Sequence, residues 1–202
     1  MTARQVEIVV TNIAVGNYEA RAYPHDETDA NGLTPLYRVP VYKILVKGTD
    51  TNNKNKVFEF MAPRFMPYYN NPQRPNSHYT TKGWVNSGLS TARTVIVSQY
   101  KQNYEIQNRY SPGRGAIVVM STFYIHAGPD SLQDFGFGSA GCIEIIGNYD
   151  TFKKAIAELS GFSPGSPDSA IQQLVNARKL IVTIQAATAP NIKASYTRKA
   201  RL

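Results

Sequence analysis

FYIHAGPDSLQDFGFGSAGCIEIIG, residues 123–147, is the stretch on which the reading of this chain turns. Two runs of strand-forming residues, Phe123-Tyr124-Ile125 and Cys142-Ile143-Glu144-Ile145-Ile146, flank a loop rich in glycine and serine. Within that loop Gly136-Phe137-Gly138-Ser139-Ala140-Gly141 spells GxGxxG. That pattern binds a dinucleotide only where a helix N-terminus follows to face the pyrophosphate. A strand follows here, so the order predicts strand, loop, strand and argues against a nucleotide-binding unit. The same stretch holds the chain's only cysteine and one of its three histidines. His126 and Cys142 fall at the loop's two strand junctions, where closure of the loop can bring them together.

Outward from this stretch the period of two continues. Strands are expected at 6–10, 36–47, 57–60, 94–98, 104–107, 116–120 and 122–126, with Pro40 marking an edge or bulge in the second. The polar run 49–56, TDTNNKNK, reads as the tip of a hairpin. Residues 63–76, PRFMPYYNNPQRPN, carry four prolines and are expected to lie on the surface as an extended arm. After Gly147 the period lengthens. Asp150 is expected to cap a helix with Phe152, Ile156 and Leu159 inward, Lys153, Lys154 and Glu158 outward, and Gly161 as the stop. Ser166 then caps a second helix with Pro167 at its first position and Ile171, Leu174 and Val175 inward. A strand returns at 180–184, and 190–202 reads as a frayed basic tail. The whole is expected to be one β-rich α+β domain, 1–202, with two short helices near the C-terminus.

Composition sets the outer limits. Hydrophobic residues make up 42 % of the 202 and charged residues 18 %, which supports a packed core and excludes a disordered chain. The formal net charge of +8 implies attraction to polyanions: nucleic acid, an anionic membrane surface or an acidic wall polymer. One cysteine excludes an intramolecular disulfide and a multi-cysteine zinc site, and neither metal nor cofactor is expected. No secretory signal or membrane span is expected, because the apolar run near the N-terminus is broken by Glu7, Thr11 and Asn12.

A cysteine nucleophile needs a base for its proton and donors for the developing oxyanion. His126 can supply the first and the amides of Gly141 and Cys142 the second. A lone cysteine in an apolar run is also read as a small buried hydrophobe, and a histidine after Phe-Tyr-Ile as a satisfied structural one. His25 and His78, in polar segments, read as exposed. Trp84 and the basic Arg114 are candidates for a substrate wall, with Trp84 equally a cap on the core.

The pattern His126-Ala127-Gly128, then Ser139-Ala140-Gly141-Cys142-Ile143, resembles the active-site motif of the L,D-transpeptidase (YkuD-type) catalytic domain. Its separation of sixteen residues between His126 and Cys142 lies in that motif's range. The specific resemblance covers 116–147. It implies an L,D-transpeptidase-like sheet or β-sandwich domain acting on peptidoglycan stem tetrapeptides. Cys142 would form a thioester at the carbonyl after a meso-diaminopimelate or similar residue, and His126 would act as base and then acid. The Ala127 carbonyl would orient the imidazole and Ser139 would brace the loop. An acceptor amine would give crosslinking or D-amino-acid exchange, and water would give carboxypeptidase activity. Two positions depart from the family: Ala140, where His or Arg is frequent, and Glu144, where Arg or Asn is usual. Both flank the substrate there.

The absence of a visible signal or anchor is similar to the L,D-transpeptidase-like toxins delivered into a rival's periplasm by type VI secretion. That resemblance implies action in the periplasm, a secretion apparatus and a cognate immunity protein as partners, and no nucleic acid. The competing expectation is a non-catalytic basic module for wall polymer or nucleic acid, whose binding would be salt-sensitive and indifferent to Cys142.

Overall fold

A computed structural model describes residues 3–23, 28–68, 83–84, 89–104, 114–121, 123–134, 141–162, 165–191 and 196–201, with 83, 84 and 196 as backbone only. Counts and absences below refer to these described residues. They form a β-rich α+β structure of two mixed sheets, a short strand pair and two helices.

The larger sheet has the order β12-β2-β1-β11-β6, with β3 also paired to β2. Its spine is β1 (Val6–Ala20) and β2 (Thr34–Thr49), antiparallel, with β11 (Leu180–Ile184) parallel to β1 and β6 (Arg93–Ile96) at the edge. Both long strands run well past the five and twelve residues that alternation alone suggests. A bulge carries β1 across a break, because residues 11–13 lie opposite Lys43 alone. Thr11 fastens it: its hydroxyl donates to the Lys43 carbonyl (2.8 Å) and accepts from the Ile13 amide (3.1 Å). Pro40 sits where the far side of β2 changes partner, since β12 (Tyr196–Ala200) pairs with 34–37 and β3 (Asn55–Pro63) with 41–49. A residue without an amide proton is tolerated at such a gap. The β2–β3 hairpin forms around the polar tip, where Asp50 accepts from the Asn52 and Lys54 amides.

Three expectations about the strands and the segments that join them are corrected. Residues 63–67 are buried and do not form a surface arm; 69–76 lie outside the described residues. Arg64 is the reason, because its fully buried guanidinium donates to the carbonyls of Thr11 (2.9 Å), Leu89 and Gln185 (2.7 Å), tying the bulge to the segment at Leu89 and to the residue that follows β11. Second, 196–200 is not frayed: β12 completes the open edge of β2. Arg198 pairs with Glu19 and Lys199 with Asp29, each at 2.9 Å. Third, the strand expected over 104–107 gives way to β7 (Gln99–Lys101); Tyr104 follows a turn closed by its amide on the Lys101 carbonyl, and 105–107 lie outside the described residues.

The smaller sheet is β10-β9-β8-β7, with β8 (Ala116–Met120) antiparallel to β9 (Phe123–Ala127) and β10 (Ile143–Ile145) parallel to β9. Ile117, Ile125, Ile143 and Ile145 from this sheet meet Val6, Ile8, Ile44 and Val182 from the larger one in a single core. α1 (Tyr149–Ser160) and α2 (Pro167–Asn176) close it with Phe152, Ile156, Leu159, Ile171 and Leu174. The cap of α1 is Asn148, whose side chain accepts from the Thr151 amide, and not Asp150. Gly161 ends α1 at φ 80, a backbone conformation costly for residues with a Cβ. Ser166 caps α2 with Pro167 in its first turn.

Lys153 departs from its expected outward place. Only 6 % exposed, it donates to the Asp168 carboxylate on α2 (3.0 Å) and to the Arg114 carbonyl (3.3 Å), and Tyr100 on β7 donates to the same carboxylate. A buried ammonium requires such partners, so the cluster locks both helices to β7 and to the residue pair just before β8. The short strands β4 (Pro67–Tyr68) and β5 (Gly83–Trp84) pair with each other.

Candidate active site

The parallel pairing of β9 and β10 sets the site. Its register places Ile125 beside Ile143, His126 beside Glu144 and Ala127 beside Ile145. Side chains alternate along a strand, so one face carries Ile125, Ala127, Ile143 and Ile145 into the main core. The other face carries Tyr124, His126 and Glu144, and Cys142 falls on it by continuation of the same alternation. This face is roofed by a second, smaller apolar cluster of Tyr18, Ala20, Val39, Val41, Met66 and Ile146.

Close strand approach here depends on Gly128. A Cβ built at this position would lie 2.9 Å from the Glu144 Cβ and 3.0 Å from the Ile145 carbonyl oxygen. The Gly128 amide donates to that same oxygen at 2.8 Å. The obstacle is backbone, not a flexible side-chain end, so any side chain at 128 would push β10 off β9.

His126 is 1 % exposed. Its Nδ1 lies 2.7 Å from the Ala127 carbonyl oxygen. A carbonyl only accepts, so Nδ1 carries the proton and Nε2 presents its lone pair. That Nε2 is buried and has no hydrogen-bond partner among the described residues. Burial holds the imidazole pKa down at about 4 against the opposing Ala127 contact, so the ring is neutral through the physiological range.

Glu144 is 2 % exposed, and burial pushes its pKa up to about 7 against the opposing hydrogen bond from Tyr18. The Tyr18 hydroxyl donates to Oε2 at 3.2 Å. His126 titrates while Glu144 is neutral, and Glu144 titrates while His126 is neutral.

Cys142 is 9 % exposed, the most accessible of the three. Gly141 before it adopts φ 103, turning the chain into β10. A tyrosine cluster lies beside the thiol. The Tyr104 hydroxyl is held above its usual pKa by burial first, and then by the neighbouring Tyr124 hydroxyl and Cys142 thiol. The Tyr104 and Tyr124 rings lie 4.9 Å apart, and the Lys101 ammonium sits 5.3 and 5.0 Å from their centroids while donating to the Tyr124 hydroxyl at 3.3 Å. A recess of about 300 Å³ is lined by Tyr18, Glu19, Arg38, Leu132, Asp134 and Arg198.

The fold thus gathers His126, Ala127, Gly141, Cys142 and Glu144 on adjacent strand ends. Arg114 enters the structure through its backbone, its carbonyl holding Lys153 of α1 two residues before β8. Trp84 belongs to β5 by its backbone, and its side chain lies outside the described residues, as do Ser139 and Ala140. Sequence reasoning missed Tyr18, Lys101, Tyr104 and Tyr124. Tyr124 was within reach, two residues before His126 and so on its face of the strand; Tyr18, 126 residues from Glu144, had no local signal. No group of three or more His, Cys, Asp or Glu side chains arranged to hold a metal occurs among the described residues. No described helix is long and apolar enough to cross a membrane.

Comparison with known proteins returns no match, whether to a family model, a curated protein or a solved structure.

Proposed function

We propose that the chain is a cysteine-dependent acyl-transfer enzyme of the L,D-transpeptidase kind, acting on peptidoglycan stem tetrapeptides. The observation that carries this reading is the buried Nε2 of His126, fixed as a proton acceptor by the bond from Nδ1 to Ala127 and sharing a sheet face with the chain's one thiol. An imidazole in that tautomer takes the Cys142 proton as the sulfur attacks a carbonyl, and returns it to the departing amine. The sulfur–carbon bond forms as the peptide bond breaks, leaving a thioester that an amine or water resolves. The Gly141 and Cys142 amides, at the turn into β10, are the donors for the oxyanion. Tyr104, Tyr124 and Lys101 wall the thiol, and the +8 net charge suits an anionic wall polymer.

Incubating purified tetrapeptide muropeptides with the wild type, Cys142→Ala and His126→Ala, followed by mass spectrometry, tests this directly. Exchange, crosslinked or trimmed products are expected from the wild type alone; turnover retained in Cys142→Ala refutes the reading. Salt-sensitive wall binding without any product, equal in all three chains, would instead establish the non-catalytic module. The same proposal places the activity in the periplasm of a target cell, with a delivery apparatus and an immunity protein as partners. Expression directed to the periplasm should harm a host that tolerates cytoplasmic expression, and equal tolerance of both would remove the toxin reading.

A further inference from the structure

We infer that Glu144 is a positioning residue for His126, the anion beside which the imidazole becomes charged when it takes the Cys142 proton. The inference rests on the Cys142–His126 reading above and adds to it a residue whose type departs from the resembled motif.

Its basis is geometric. Glu144 and His126 are register partners across a parallel strand pair, where neighbouring strands run about 4.8 Å apart and partner side chains project to the same side. Both are enclosed, at 2 % and 1 % exposure, so water does not screen them from each other. Gly128 is what permits the approach, because a Cβ there would meet the Glu144 Cβ and backbone. The titratable groups facing Glu144 are few: Tyr18 from β1, His126 and then Tyr124 from β9, and Cys142 immediately before its own strand. Only burial and the Tyr18 bond perturb its carboxyl, so no lysine or arginine acts on it among the described residues. The smaller cluster above contributes Val39, Val41, Met61 and Met66, which carry no charge.

Burying an imidazolium without a counter-charge is costly, and this is what depresses His126. Proton transfer from the Cys142 Sγ to the His126 Nε2 creates that imidazolium. An ionised Glu144 alongside offsets the cost, and a neutral one does not. The Cys142 thiolate with a charged His126 therefore forms more readily once Glu144 has lost its own proton, near pH 7. The Tyr18 hydroxyl supplies the hydrogen bond that holds the carboxylate in place.

The test uses the single thiol and needs no wall substrate. Alkylation of Cys142 by iodoacetamide, in which the sulfur–carbon bond forms and iodide departs, is followed from pH 5 to 10 by intact mass. Wild type, Glu144→Gln, Glu144→Asp and His126→Asn are compared. The wild type should show a reactivity step near pH 7 ahead of the ordinary thiol rise, which is centred about pH 8.5. Glu144→Gln keeps the shape and can still accept from Tyr18. It should lose the step and react roughly ten-fold more slowly at pH 7.5, while Glu144→Asp retains part of it. The step should vanish in His126→Asn. A step that persists unchanged in Glu144→Gln overturns the role of Glu144 and leaves the Cys142–His126 reading intact. A single ordinary thiol titration in all four chains overturns both. Matching circular dichroism spectra and denaturant midpoints of the variants at pH 7.5 separate a lost step from a lost fold.

Discussion

Replacing Glu144 by Gln should convert a balanced pH response of stability into an unbalanced one. His126 folds with its pKa lowered from 6.5 to about 4, so between those values the unfolded chain holds more protons and stability rises with pH. Glu144 folds with its pKa raised from 4.5 to about 7, so in that window the folded chain holds more protons and stability falls as pH rises. At about 1.4 kcal/mol per pH unit each displacement is worth about 3 kcal/mol, with opposite sign, and the two windows overlap between pH 4.5 and 6.5. Their slopes cancel there in the wild type. Subtracting the wild-type unfolding free energy from that of Glu144→Gln removes the background of the other carboxylates. The difference should rise by about 3 kcal/mol from pH 4.5 to 7, or roughly 6–12 °C in Tm for a chain of this length. The same subtraction for His126→Asn should fall by a similar amount from pH 4 to 6.5. Urea denaturation at half-unit pH steps measures both curves. If both differences stay flat within about 0.5 kcal/mol, the two side chains titrate as they do in water and the argument from burial is wrong.

Three further substitutions test the packing. Gly128→Ala forces a Cβ to within 2.9 Å of β10 and should cost about 1–3 kcal/mol by overpacking; in Gly32→Ala, at φ 73 with nothing within 4 Å, the cost is conformational alone, about 1 kcal/mol. Thermal melts of the two should therefore separate, and a Gly128→Ala chain as stable as the wild type would show that β9 and β10 can part freely. Arg64→Met strips the donors from three carbonyls at a site of no exposure and should lower stability by about 3 kcal/mol or more in denaturant titrations; a loss below about 1 kcal/mol would mean that those carbonyls find other donors. Lys153→Met leaves the Arg114 carbonyl and one side of Asp168 unpartnered. Hydrogen exchange should quicken in α2 and at 114–115 ahead of the main sheet, and uniform exchange would contradict a clamp at that point.

Local rules carried much of this chain. Ser166-Pro167 and Gly161 announce helix ends by backbone chemistry that needs no distant partner, and in β9 and β10 Ile125, Ala127, Ile143 and Ile145 alternate with Tyr124, His126 and Glu144 because each strand turns one face to the main core. The hairpin tip is legible for the same reason, since Asp50 satisfies amides only two and four residues away. The unpredicted features are those whose partner lies far along the chain. Arg64 in a proline-rich run looks solvated until the bulge of β1 and the end of β11 present carbonyls to it. Lys153 fits a polar helix face until Asp168 and Tyr100 enclose it. The basic run near the C-terminus looks like a tail until β2 offers an unpaired edge with Glu19 and Asp29 nearby.

The candidate site divides along the same line. The sequence alone determined that one thiol and one histidine stand at the two ends of a glycine-rich loop between strands, because strand propensity and the glycines are local properties. The tertiary structure decided that β9 and β10 run parallel, so that Glu144 comes to rest beside His126, and that Tyr18 reaches across 126 residues to hold its carboxyl. The physical reason is that register and burial belong to pairs of strands. A carboxylate two residues after a cysteine has no fixed charge or role until the neighbouring strand, and the apolar cluster above it, remove the water.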